Sequence, residues 1–520
     1  MSISQRSKIA TDVTRGSSAL MSQRIAVTLM AIVYGAVLAR LLGPVNLGLI
    51  ALANSAAFAI GIFSGVAVSG LKPAMIRNIA VYIANNENAK AKDIYKKGLT
   101  IHVLLGIVST GLVLLTADLV ANFIFNTPEL SFLITLTAFS VSVSIATQFV
   151  SSLFESLKYF ISYSTLMLID TIGRMTFSLL LFFLGYGIPG IIAGGIISGS
   201  LTTTIGYLFI RRKLPFIHSK LEDTDFSGYK ELFSFSLFYS VGRIFYRIYE
   251  LAPNLILGYY LTPEVVGYFS YANNIANRPS MLGYAFYTTL LPSMSETWAK
   301  EETSLMKKTY LSTMKYLMIF STFFSMMLIV FANEIILILA GPNFLPSVLL
   351  LQILALVSIF RIIDAPVLSV LLTTKKLDGI VYPSILRSGV TVGFLFLLVP
   401  QYGAIITAII VVIGRLVAII LNIIFANREL SAHTPLSYFV KPIVCLLISS
   451  SILLLPTVTN LIIFGLIKLF SAPALFLIGM ILTSALVKED VKIIELIEIK
   501  NELIAQIFRK IIKFISKLLR

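Results

Sequence analysis

Nine arginines and one lysine interrupt long apolar runs in this chain: Arg24, Arg40, Arg174, Arg243, Arg247, Arg278, Arg361, Arg387, Arg415 and Lys468. A base near the middle of a hydrocarbon layer costs about 2.5 to 3.5 kcal/mol even on a lenient insertion scale, so such residues must meet water, a partner or a ligand. Acids in the same runs are fewer: Asp170, Glu250 and Asp364, with Glu155 near a run's end. Asp170 stands four residues before Arg174, Glu250 three after Arg247, and Asp364 three after Arg361. Those spacings put both charges on one helix face, as structural ion pairs or as groups on which a coupling ion acts. The positive excess suits oxyanions, because a guanidinium is always charged and offers a planar fork to phosphate oxygens. Arg24, Arg243 and Arg247 are the leading candidates for that contact. Asn54 and Asn273 suit ligand contacts and hydrogen bonds between helices equally well. Arg40, Arg278, Arg415 and Lys468 read as side chains that snorkel to an interface.

The elements that position these residues are membrane spans. The chain has 520 residues, 57% of them hydrophobic and 13% charged, with a mean hydropathy of +0.91, too apolar for a water-soluble globule. A span needs roughly 20 apolar residues, and fourteen can be drawn, at 18–42, 47–70, 98–117, 130–152, 160–184, 188–210, 232–260, 264–291, 310–332, 347–372, 380–399, 402–425, 437–456 and 461–487. The first apolar run is longer than a signal-peptide core and reads as a retained span.

The bases outside the spans set the expected orientation. Every lysine- or arginine-rich loop follows an even-numbered span, among them the loops with Lys72, Arg77, Lys90 and Lys92, with Arg211 to Lys230, and with Lys375 and Lys376. The loops after odd-numbered spans carry Asp118, Glu129, Glu264 and Glu334 and no base. Basic short loops stay cytoplasmic, which places both termini in the cytoplasm of a cell-membrane protein. The net charge of +16 therefore points to the membrane rather than to nucleic acid.

A duplication organises the spans. Shifting the chain by 219 residues lays Arg24 on Arg243, Pro44 on Pro263, Gly48 on Gly267 and Asn54 on Asn273, and the register continues to Met75 on Met294. Each copy holds six spans, an even number, so the copies are expected to be parallel, related by an axis along the membrane normal, as in parallel transporter repeats. The expected division is an N-terminal six-helix lobe at 1–215, a cytoplasmic linker at 216–231, a second six-helix lobe at 232–430, two extra spans at 431–487, and a tail at 488–520. The tail repeats isoleucines at three- and four-residue steps and ends in five bases. It is expected to form an amphipathic helix on an anionic leaflet. The fold class is thus all-α and polytopic, with a water-accessible, arginine-lined cavity between the halves.

Ala39-Arg40-Leu41-Leu42-Gly43-Pro44 with Gly48, its echo at Pro263 to Gly267, and Pro400-Gln401-Tyr402-Gly403 resemble the oligosaccharide flippases of the multidrug/oligosaccharidyl-lipid/polysaccharide exporter superfamily. The resemblance covers the chain by topology and implies a central cavity lined by spans 1, 2, 7 and 8, which adds Arg278 to Arg24, Arg243 and Arg247. It also implies movement of a polyprenyl-phosphate- or diphosphate-linked glycan between leaflets by alternating access, by a monomer working beside glycan-assembly enzymes. A drug exporter of the same superfamily would rely on membrane acids, and spans 1 and 2 contain none. A membrane glycosyltransferase or polymerase would need catalytic acids in a sizeable outer loop; His102, His218 and His433 lie far apart, and Cys445 is a lone cysteine. Neither an enzyme nor a cofactor is expected. Protons acting through Asp170, Glu250 or Asp364, sodium ions, or the membrane potential are the candidate sources of drive.

Overall fold

The computed structural model describes residues 3–217, 227–454 and 461–485. The tail at 488–520 and most of the linker at 216–231 lie outside the described residues. The described segments are helical throughout, in chain order α1 (Ile3–Ile60), α2 (Ile62–Ala84), α3 (Asn88–Leu119), α4 (Glu129–Ser156), α5 (Phe160–Leu181), α6 (Gly187–Arg211), α7 (Ser227–Tyr260), α8 (Pro263–Ala276), α9 (Ser280–Ala299), α10 (Thr303–Val330), α11 (Ala332–Leu339), α12 (Ser347–Ile362), α13 (Asp364–Thr373), α14 (Asp378–Glu429), α15 (Ser437–Ser450) and α16 (Leu461–Leu482). The protein is a multi-pass membrane protein.

Several of these helices are folded back on themselves. At 1.5 Å per residue, the 52 residues of α14 would run more than twice the thickness of a hydrocarbon core. Gly403, at φ 64° and ψ −144°, breaks it in a region of backbone space open to glycine. Beyond the break the chain returns along its own first arm, for Gly414 packs on Thr391 and Arg387, and Gly379 on Phe425. Gly43, at φ 70° in α1, does the same, bringing Ile50 to Leu38 and Leu42. The α5 and α6 arms form a third hairpin, in which Gly194 sits against the Ser178 backbone.

Among the described residues seven helical stretches are long and apolar enough to cross a membrane, and the three hairpins are among them. The stretches expected as spans 7 and 8 do not qualify. Their apolar runs are interrupted by Arg243, Arg247 and Glu250 in α7 and by a turn at 277–279 between α8 and α9.

Packing differs between the two ends of the molecule. Near Pro44 and Pro263 the two halves share one core, in which Leu52, Ala53 and Ala56 join Leu257, Val266, Phe269 and Ala272. Away from that end each half has a core of its own: Leu71, Met75, Ile94 and Leu153 in the first, Met294, Tyr310, Met314 and Leu371 in the second. The contact at the shared end is reciprocal. A Cβ on Gly48 would overlap the Pro263 carbonyl, and a Cβ on Gly267 would overlap the Pro44 carbonyl. Residues related by the 219-residue shift thus meet each other's backbones, as a pair of two-fold-related hairpins must.

Candidate functional site

The most highly charged interior region lies in the second half, where α7, α9, the α12–α13 bend and both arms of α14 enclose a cavity of about 390 Å³. Close packing aims the charges. Gly283 of α9 lies against the backbone of Arg361 and Ile362, while Ser388 of α14 donates to the Phe245 carbonyl and Tyr249 to that of Val411 at 3.0 Å. Folding at Gly403 then brings Arg387 and Arg415, on opposite arms, into one wall together with Arg243, Arg361 and Asp364. Arg415 is 4% exposed and forms an ion pair with Asp364. Glu250 takes Arg247 at 3.2 Å and Arg361 at 3.7 Å. Arg361 also donates to the Tyr246 hydroxyl at 3.4 Å.

Arg387 is 2% exposed and is held by aromatic faces, 4.8 Å from the Tyr246 ring centre and 4.4 Å from that of Tyr249. Such contacts favour a cation. Its Nε and Nη2 nevertheless have no hydrogen-bond acceptor among the described residues.

Shared walls link this cavity to others. Arg243 also borders a cavity of about 290 Å³ between the halves, with Arg247, Phe58, Ser144 and Gln148. Phe58, Ser144 and Gln148 border in turn a cavity of about 440 Å³ in the first half that includes Asn54, Asp170 and Arg174. There Asp170 accepts from Arg174, Ser198 and Thr202, each at 3.2 Å. Tyr284 leads from the second-half cavity to one of about 360 Å³ lined by Arg24, Lys72 and Glu155. The Arg24 guanidinium lies 3.5 Å over the Tyr284 ring centre, joining α1 to α9.

Arg24, Arg243, Arg247, Asn54, Asp170, Arg174, Arg361 and Asp364 therefore border this chain of cavities, with Glu250 immediately behind Arg361. Arg278 and Asn273 border none of the four. Arg278 is half-buried at the turn between α8 and α9, and Asn273 accepts from Asn277 at 2.9 Å. The expected pair of Arg361 with Asp364 is replaced by pairs between helices, because the bend at Ile363 separates α12 from α13.

Two expectations of snorkelling are corrected by burial. Arg415 sits midway along an arm of a hairpin, not at its end. Lys468 is 3% exposed and bonded to Glu334 at 2.7 Å, and Glu334 belongs to helix α11 rather than to a loop. Arg40 is exposed but engaged, donating to the carbonyls of Ile338 and Leu339 at 2.6 and 3.3 Å. Those carbonyls end α11, where helix acceptors lack partners and a cation is favoured. Sequence reasoning missed Arg387 as a site residue; the available signal was a guanidinium deep in an apolar run with no acid within a turn.

Residues 13–298, more than half of the chain, match the polysaccharide biosynthesis protein family. The chain belongs to that family. Solved structures place the fold of this family member among transporters. The lipid II flippase MurJ in an inward-closed conformation matches with a TM-score of 0.69 and 15% identity, over 89% of this chain and 98% of that one. An inward-facing multidrug-resistance transporter of the MATE family, in the MOP superfamily, matches at 0.64 and 16%, over 80% and 98%. A MOP superfamily transporter from Pyrococcus furiosus, described as having a binding pocket of reversed polarity, matches at 0.60 and 15%, over 81% and 95%. No curated protein matches the chain.

Proposed function

We propose that this protein is a flippase that moves a polyprenyl-phosphate- or diphosphate-linked oligosaccharide from the cytoplasmic to the outer leaflet of the cell membrane by alternating access. One observation carries the reading: a set of neighbouring cavities between and within the halves that share wall residues and are bordered by arginines in excess of acids. Arg24, Arg243 and Arg247 bind the phosphates, since forked, permanently charged donors suit phosphate oxygens, and the polyprenyl tail stays in lipid at the gap between two six-helix lobes. The family match and the likeness to a protein named as a lipid II flippase support a lipid-linked glycan over a drug.

With the lysine-rich loops in the cytoplasm, the shared core and the crossed Gly48 and Gly267 backbones seal the outer end, and the head group enters from the cytoplasmic side. Closure there, followed by parting of the Pro44 and Pro263 corners, delivers it outward. In a host whose surface glycan depends on this gene, the double substitution Arg24→Ala/Arg243→Ala should abolish surface glycan while leaving the protein in the membrane. Lysine at both positions should restore it only in part, the fork being lost. Normal glycan in the alanine double mutant would remove the assignment.

A further inference from the structure

We propose that the second-half cavity is a separate subsite for an oxyanion carried on a sugar, a uronate carboxylate or a sugar phosphate. The proposal rests on the flippase reading and concerns a different part of the ligand from the phosphates on the carrier lipid. Besides Arg243, which also borders the phosphate site, three guanidiniums line this cavity, those of Arg361, Arg387 and Arg415, against one carboxylate, Asp364. Glu250, just behind Arg361, brings the acids to two. Glu250 is engaged by Arg247 and Arg361, and Asp364 by Arg415 through Oδ2, its Oδ1 having no hydrogen-bond partner among the described residues.

Among the described residues Arg387 is left with two ring faces and no acceptor for Nε and Nη2. A buried charge without a counter-charge is costly, and ring quadrupoles offset only part of that cost. A sugar-borne anion in the cavity supplies the missing charge. The rest of the wall suits the sugar itself. Ser384 and Asn422 provide neutral polar groups, and Tyr284 and Tyr287, with ring centres 6.0 Å apart, provide aromatic faces.

The test uses the full chain in nanodiscs of neutral lipid and follows its unfolding temperature with added glucuronate, glucose 1-phosphate or glucose at matched ionic strength. Farnesyl diphosphate serves as the separate probe of the lipid-phosphate site. Glucuronate or glucose 1-phosphate should raise the unfolding temperature saturably and glucose should not, and the stronger of the two acids identifies the group. Arg387→Gln should weaken that response about tenfold or more and leave the farnesyl diphosphate response intact. Arg387→Lys, which keeps the charge, should lose less, and it serves if the glutamine variant does not fold. Arg24→Gln/Arg247→Gln should show the converse pattern. A farnesyl diphosphate response with no preference for the sugar acids over glucose, or a sugar-acid response unchanged by both Arg387 variants, overturns the subsite while sparing the flippase. Absence of both responses in the wild-type chain overturns both readings.

Discussion

Arg415 and Asp364 show what a charge costs inside this membrane protein. Arg415 is buried and Asp364 half-buried between α13 and the second arm of α14, so removing Asp364 leaves a buried guanidinium without its partner. Such a loss costs about 3 to 5 kcal/mol, whereas replacing both partners with apolar residues is often close to neutral. Asp364→Leu should therefore lower the unfolding temperature by several degrees, and Arg415→Met/Asp364→Leu should recover most of it. A double variant no more stable than the single would show that the pair contributes more than charge balance. Most of these residues could be singled out from sequence, because a base in an apolar run is conspicuous. Their partners could not: Asp364 lies one turn from Arg361 in sequence, yet the bend at Ile363 hands it to an arginine 51 positions away.

The hairpins carry the next level of organisation. Gly43 and Gly403 reverse long helices because their positive φ is accessible without the clash that a Cβ imposes. Gly48 and Gly267 have a different task, the approach of two backbones closer than any side chain allows. Gly48→Val should force the Pro44 and Pro263 corners apart and favour the state open at that end. Cys445, the single native cysteine, is buried, so a Ser144→Cys reporter in the cavity between the halves can be read with an impermeant maleimide. Labelling from the Pro44 side should be slow in the reporter chain and fast once Gly48→Val is added. Equal rates would mean that the crossed glycines do not form the seal. The repeat register marks these four positions in the sequence, but that they touch one another is a property of the packed pair alone.

For the whole molecule, the alternation of basic and acidic loops makes an orientation prediction: a green fluorescent protein fused at the C-terminus should fluoresce, and an alkaline phosphatase fused there should be inactive. The opposite result would reverse the direction of transport proposed here. By itself the sequence determined the membrane class, the 219-residue repeat and the list of bases needing an explanation. The first and last follow from hydropathy, which acts over about twenty residues along the chain, and the repeat from residue identities matched at a fixed shift. Only the tertiary structure decided that Arg387 and Arg415 belong to one buried cluster, that Lys468 pairs with Glu334, that Arg278 stands apart from the cavities, and that the halves share a core near Pro44 and Pro263. Each of these depends on hairpins folding at single glycines and on helices meeting far apart in sequence, where low dielectric and close packing choose ion-pair partners by distance in space rather than by spacing along the chain.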